Sequence, residues 1–90
     1  MNKQSIAWEM MLSENLVGKR FSKKELEENV SILVKEKVNF EKTTNKDNID
    51  LDYELLCEIK TCDNYYFINI YYLRTRNRSL YITEVSVDNE

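Results

Sequence analysis

Residues 65–75 read YYFINIYYLRT, and this run decides the architecture. Aromatic and β-branched side chains fill it, Gly and Pro are absent, and Asn69 is the one polar interruption before Arg74. That is the composition of a strand packed on a pleated sheet. Two runs of similar character flank it, at 51–61 and 80–87. Asp63-Asn64 sets off the first, and Arg76-Asn77-Arg78 the second. Strand-like runs separated by short polar breaks predict an antiparallel meander.

Toward the N-terminus the pattern changes period. Ser22 with Glu25 three residues on forms a capping box, and Phe21 is placed to pack on Leu26 as a hydrophobic staple. The spacing predicts a helix over 23–37 with its buried stripe on Leu26, Val30, Leu33 and Val34, leaving Ile32 on the wrong side. An earlier helix is predicted over 5–17 and stopped by Gly18. Trp8, Met11, Leu12 and Leu16 make one apolar stripe on it and Ile6, Met10 and Val17 another. Val38 to Thr44 alternates weakly, as a short strand would, before the polar loop Asn45-Lys46-Asp47-Asn48. The expectation is one α+β domain over 1–90: two N-terminal helices packed on a three- or four-stranded antiparallel β-meander.

Ninety residues support one core and no interdomain cleft. The absence of His removes mechanisms that use imidazole as base, shuttle or metal ligand, and a single Gly removes Gly-rich phosphate loops. A net charge of −3 and a pI near 5.0 argue against bulk affinity for nucleic acid or anionic membrane. No apolar run is long enough to span a bilayer and no signal-peptide pattern opens the chain, so a cytoplasmic setting is expected, the host cytoplasm if the gene is phage-borne. Asn, Lys, Ile and Tyr supply 32 of the 90 residues while Gly, Ala, Pro and Arg supply 6, as AT-rich codons would produce.

The chemistry that remains is thin. Asp47, Asp50, Asp52, Glu54 and Glu58 form an acidic stretch without a basic residue, but the glycine of a calcium loop is missing and a solvated acidic edge explains it better. Cys57 and Cys62 are read as thiols too far apart along a strand to bridge, and neither has a base to activate it. No metal, cofactor or catalytic residue is assigned, and the protein is not expected to be an enzyme.

Strand register points to a surface instead. A two-residue turn at Asp63-Asn64 would pair Ile59 with Ile68, Cys57 with Ile70, Leu55 with Tyr72 and Tyr53 with Arg74. An even-numbered loop near Asn77 would then add Tyr81, Val85 and Val87 to the core face. The opposite face would carry Leu56, Phe67, Tyr71, Leu73, Leu80 and Ile82 among charged residues. That face is either covered by the first helix or left as an interface. Leu56, Phe67, Tyr71, Leu73 and Ile82 are the candidate partner-binding residues, with Glu54, Glu58, Arg74, Arg76 and Arg78 as a charged rim.

The function expected is therefore a non-catalytic protein-binding module for an unidentified protein partner, or a homodimer. By analogy alone, its size and composition suit a phage or mobile-element inhibitor, of the anti-CRISPR or another anti-defence kind. The alternative is a nucleic-acid-binding or regulatory accessory protein using the basic hairpin tip and a helix-start cluster of Lys19, Arg20, Lys23 and Lys24 as anion contacts.

Overall fold

The computed structural model describes residues 3–38, 40, 52–60 and 64–89, with the backbone alone for 52–56. The elements run α1 (Lys3–Leu16), β1 (Arg20–Phe21), α2 (Lys23–Val34), β2 (Asp52–Lys60), β3 (Tyr65–Arg74) and β4 (Leu80–Asn89). The strands form one antiparallel sheet in the order β1-β4-β3-β2. The architecture is α+β, as the hydrophobic periods predict.

The fourth strand lies elsewhere than expected. Val38 and Phe40 are in no strand, and residues 39 and 41–44 lie outside those described. The edge position belongs to β1, two residues between the helices that pair with β4 as Arg20↔Tyr81 and Phe21↔Leu80. Gly18 makes this connection: its φ of +83° turns the chain off α1. Its N–H then donates to the Ile82 carbonyl at 2.8 Å while the Ile82 N–H donates to the Lys19 carbonyl at 3.0 Å.

Helix α2 starts as predicted. The Glu25 N–H donates to Ser22 Oγ at 3.1 Å, and the Ser22 N–H donates to the Glu25 carboxylate at 2.9 Å. These two bonds satisfy donors that a helix end otherwise leaves open. The helix ends at Val34, short of residue 37, because Lys35 adopts a left-handed conformation at φ 57°. Side chains of α2 then draw the chain back. The Val38 N–H donates to Ser31 Oγ at 3.2 Å and the Phe40 N–H to the Glu27 carboxylate at 2.9 Å. Val38 and Phe40 are thereby delivered into the core, where both are buried.

That core is single and one-sided. Trp8, Leu12 and Leu16 of α1 and Leu26, Val30 and Val34 of α2 join one cluster with Cys57, Ile59, Tyr66, Ile68, Ile70, Tyr72, Val85 and Val87. Because alternate strand residues point to one face, both helices occupy the same side of the sheet. The alternative in which α1 covers the other face is corrected. One α1 stripe packs inward, while Ile6, Met10 and Val17 stay exposed. Trp8 meets Tyr66 edge-on at 4.8 Å. Glu9 accepts the Val87 N–H at 2.8 Å, so α1 also satisfies a donor on the β4 edge that β3 does not pair.

Two registers differ from the sequence reading. The β2–β3 ladder pairs Ile59 with Tyr66, Cys57 with Ile68, Leu55 with Ile70 and Tyr53 with Tyr72. It is displaced by two residues from the predicted pairing, with Lys60↔Tyr65 its last described pair, and the predicted turn falls partly on residues 61–63, outside those described. An even displacement preserves faces, so the core assignments of Cys57 and Ile59 stand. The β3–β4 ladder contains a bulge: Tyr71 pairs with Glu84 but Tyr72 pairs with Ile82, leaving Thr83 as the extra residue. The loop after Arg74 is 75–79, since Arg74 pairs with Leu80. The extra residue reverses the alternation of β4's first half. Leu80 and Ile82 are consequently buried, and Tyr81 faces out.

Candidate functional site

The face of the sheet away from the helices takes its side chains from alternate positions of β3 and from β4. Tyr65, Phe67 and Tyr71 are half-buried and Leu73 is 37% exposed. Across the ladder from Leu73 stands Tyr81, 36% exposed. Tyr65 and Phe67 pack ring to ring at 5.0 Å, and the Tyr65 hydroxyl donates to the Glu58 carboxylate. Asn69 interrupts the stripe. It is 8% exposed, and its Nδ2 donates to Ser86 Oγ at 3.3 Å and to the Asp88 carboxylate at 3.0 Å. The aromatic surface is thus two lobes, Tyr65/Phe67 and Tyr71/Leu73/Tyr81, on either side of a polar bridge.

Of the candidate partner-binding residues, Phe67, Tyr71 and Leu73 share this face. Ile82 does not: it is fully buried on the helical side because of the Thr83 bulge. Leu56 pairs with Asn69 in the ladder, and its side chain, like that of Glu54, lies outside the described residues. Glu58 is exposed beside the first lobe. Tyr81 is the residue sequence reasoning missed. The signal was present in the spacing Leu80, Ile82, Val85, Val87, where the apolar period skips a step at Thr83-Glu84.

The arginines do not rim the aromatic face. Arg74 has the parity of buried Tyr72 and so belongs to the helical side. There Arg74, Arg76 and Arg78 meet Lys23, the first residue of α2, around a concave pocket of about 610 Å³. Thr75, Tyr72 and Leu80 complete the lining, and no described carboxylate takes part. The structure therefore joins the hairpin tip to one member of the helix-start cluster. Lys19, Arg20 and Lys24 are exposed and do not line the pocket.

The turn that carries the arginines is bonded through its odd-numbered residues. Thr75 Oγ1 lies 2.5 Å from Asn77 Oδ1 and 2.6 Å from Ser79 Oγ, and Ser79 Oγ donates to Asn77 Oδ1 at 3.0 Å. The Thr75 N–H donates to the Ser79 carbonyl at 2.9 Å and the Arg78 N–H to the Thr75 carbonyl at 3.1 Å. With 75, 77 and 79 engaged in one another, residues 76 and 78 are exposed. Arg78 sits at φ 64°, a left-handed conformation that costs an L-residue about 1–2 kcal/mol.

Cys57, one of the two candidate thiols, is fully buried on the core face; Cys62 lies outside the described residues. So do Asp47 and Asp50 of the acidic stretch, and the side chain of Asp52. No described helix is long and apolar enough to cross a membrane. Comparison with protein-family models, with curated proteins and with solved structures finds no match.

Proposed function

We propose that the protein is a binding module that engages a protein partner through the outer face of its sheet. The observation that carries this is where the helices go: both pack on the other side, and the outer face still bears Phe67, Tyr71, Leu73 and Tyr81. Aromatic anchors of this kind supply burial at protein interfaces, and the exposed Glu58, Lys60, Glu84 and Asp88 would form the polar rim that selects the partner. The inhibitor role expected by analogy is one form such a module takes, and it rests on size and composition alone.

The test uses positions whose change spares the core. Leu73→Thr with Tyr81→Thr removes apolar area from the second lobe without touching a buried residue, and Thr suits a cross-strand pair. Affinity capture with the wild-type chain should retain a partner that the double variant loses, with both proteins melting at the same temperature. Equal capture by the two removes the reading. Light scattering of the wild-type chain identifies a second copy as the partner if the mass doubles.

A further inference from the structure

We infer that the pocket between the hairpin tip and the start of α2 is a binding site for a compact polyphosphate group, such as the phosphate chain of a nucleoside triphosphate or inorganic tripolyphosphate. This site is separate from the aromatic face and does not depend on it.

Four observations converge on that chemistry. First, four cationic side chains from two separate regions of the chain, Lys23, Arg74, Arg76 and Arg78, line one concavity. Its volume of about 610 Å³ falls in the range of small-molecule sites.

Second, the residue type is specific. Of the chain's basic residues nine are Lys and four are Arg, yet three of the four Arg fall within 74–78. A composition that defaults to Lys uses Arg here. The guanidinium fork matches pairs of phosphate oxygens in a way an ammonium does not.

Third, the tip is organised before any ligand arrives. The Thr75–Asn77–Ser79 network fixes the turn, and Arg78 occupies a left-handed position that Gly or Asn would fill at lower cost.

Fourth, the distribution of charge selects a compact ligand over an extended one. With the four pocket cations set aside, nine basic residues stand against sixteen acidic ones, a charge of −7 on the rest of the chain. That net negative charge opposes long-range attraction of an extended polyanion, whereas three clustered phosphates place all their charge inside the pocket. The α2 terminus is not the source of attraction, since Ser22 and Glu25 already use one another's N–H groups.

Calorimetric titration of the full chain tests this with three probes: inorganic tripolyphosphate, a nucleoside triphosphate, and a single-stranded oligonucleotide. Tripolyphosphate should bind, and Arg76→Ala with Arg78→Gly should weaken it by about tenfold or more without lowering the melting temperature. Replacing all three arginines with Lys keeps the charge and should still weaken binding several-fold, to about one third or less of the wild-type affinity. A nucleoside triphosphate that binds much tighter than tripolyphosphate assigns the site to nucleotides; equal affinities assign it to the phosphate chain alone. No binding of tripolyphosphate, unchanged binding by the Arg76/Arg78 variant, or tighter binding of the oligonucleotide than of tripolyphosphate overturns the inference.

Discussion

Among the described residues, two non-glycine positions, Lys35 and Arg78, adopt left-handed backbone conformations; Arg78 lines the basic pocket and Lys35 ends α2. Lys35 is exposed at the end of α2 and makes no use of its conformation beyond stopping the helix. Lys35→Gly should therefore raise stability by about 0.5–1 kcal/mol, the left-handed cost less the entropy that glycine adds to the unfolded chain, seen as a higher melting temperature. At the other end of α2, the bonds from the Ser22 backbone and side chain hold the Glu25 carboxyl below its usual 4.5. A depressed carboxyl stabilises the fold at pH above its unfolded value and loses that contribution as pH falls through the lower folded value. Chemical denaturation across pH 6 to 3 should show stability declining below about 4.5, and Glu25→Gln should flatten that part of the profile. A Gln variant that retains the full decline would mean the dependence arises elsewhere.

Strand β4 is the element on which sequence and structure part, and the reason is local. Its apolar residues are spaced two, three and two apart at 80, 82, 85 and 87, a pattern that a uniform alternation cannot place on one face. The bulge at Thr83 resolves it by giving both Thr83 and Glu84 to solvent. Reading from the well-defined Val85 and Val87 with a strict period of two necessarily exposed Ile82 and buried Tyr81. Mutation separates the alternatives. Ile82→Ala should cost about 2–5 kcal/mol as a core cavity, while Tyr81→Ala should change stability by about 0.5 kcal/mol or less, as exposed positions do. The opposite ranking in urea unfolding would restore the unbulged register.

For the molecule as a whole, the class of fold and most of the core were legible because both rest on hydrophobic period and on one complete capping motif, Ser22 to Glu25, which are local signals. What was not legible depends on contacts distant in sequence. β1 is too short to show a period and exists because Gly18, Lys19 and Ile82 exchange hydrogen bonds. Val38 and Phe40 read as a weak strand, since nothing local reveals that Ser31 and Glu27 will capture their N–H groups. The candidate site divided in the same way. Phe67, Tyr71 and Leu73 follow from the alternation of β3, whereas the meeting of Lys23 with the three arginines requires the β3–β4 hairpin to reach the start of α2.

The bond between Glu9 and Val87 spans nearly the whole chain, and it bears on how the protein comes to be folded at all. α1 finds its strand neighbour in β4, and among the described strands β1 pairs with β4 alone. The N-terminal half can form its capped helix from local signals, but the packing of α1 on β4 and the Glu9–Val87 bond wait for residues 80–87. Such non-local closure slows folding, because the entropy of bringing distant segments together is lost before their contacts form. Until the sheet forms, Trp8, Leu12 and Leu16 lack the core they occupy in the folded chain, and apolar surface exposed during folding is the kind that aggregates.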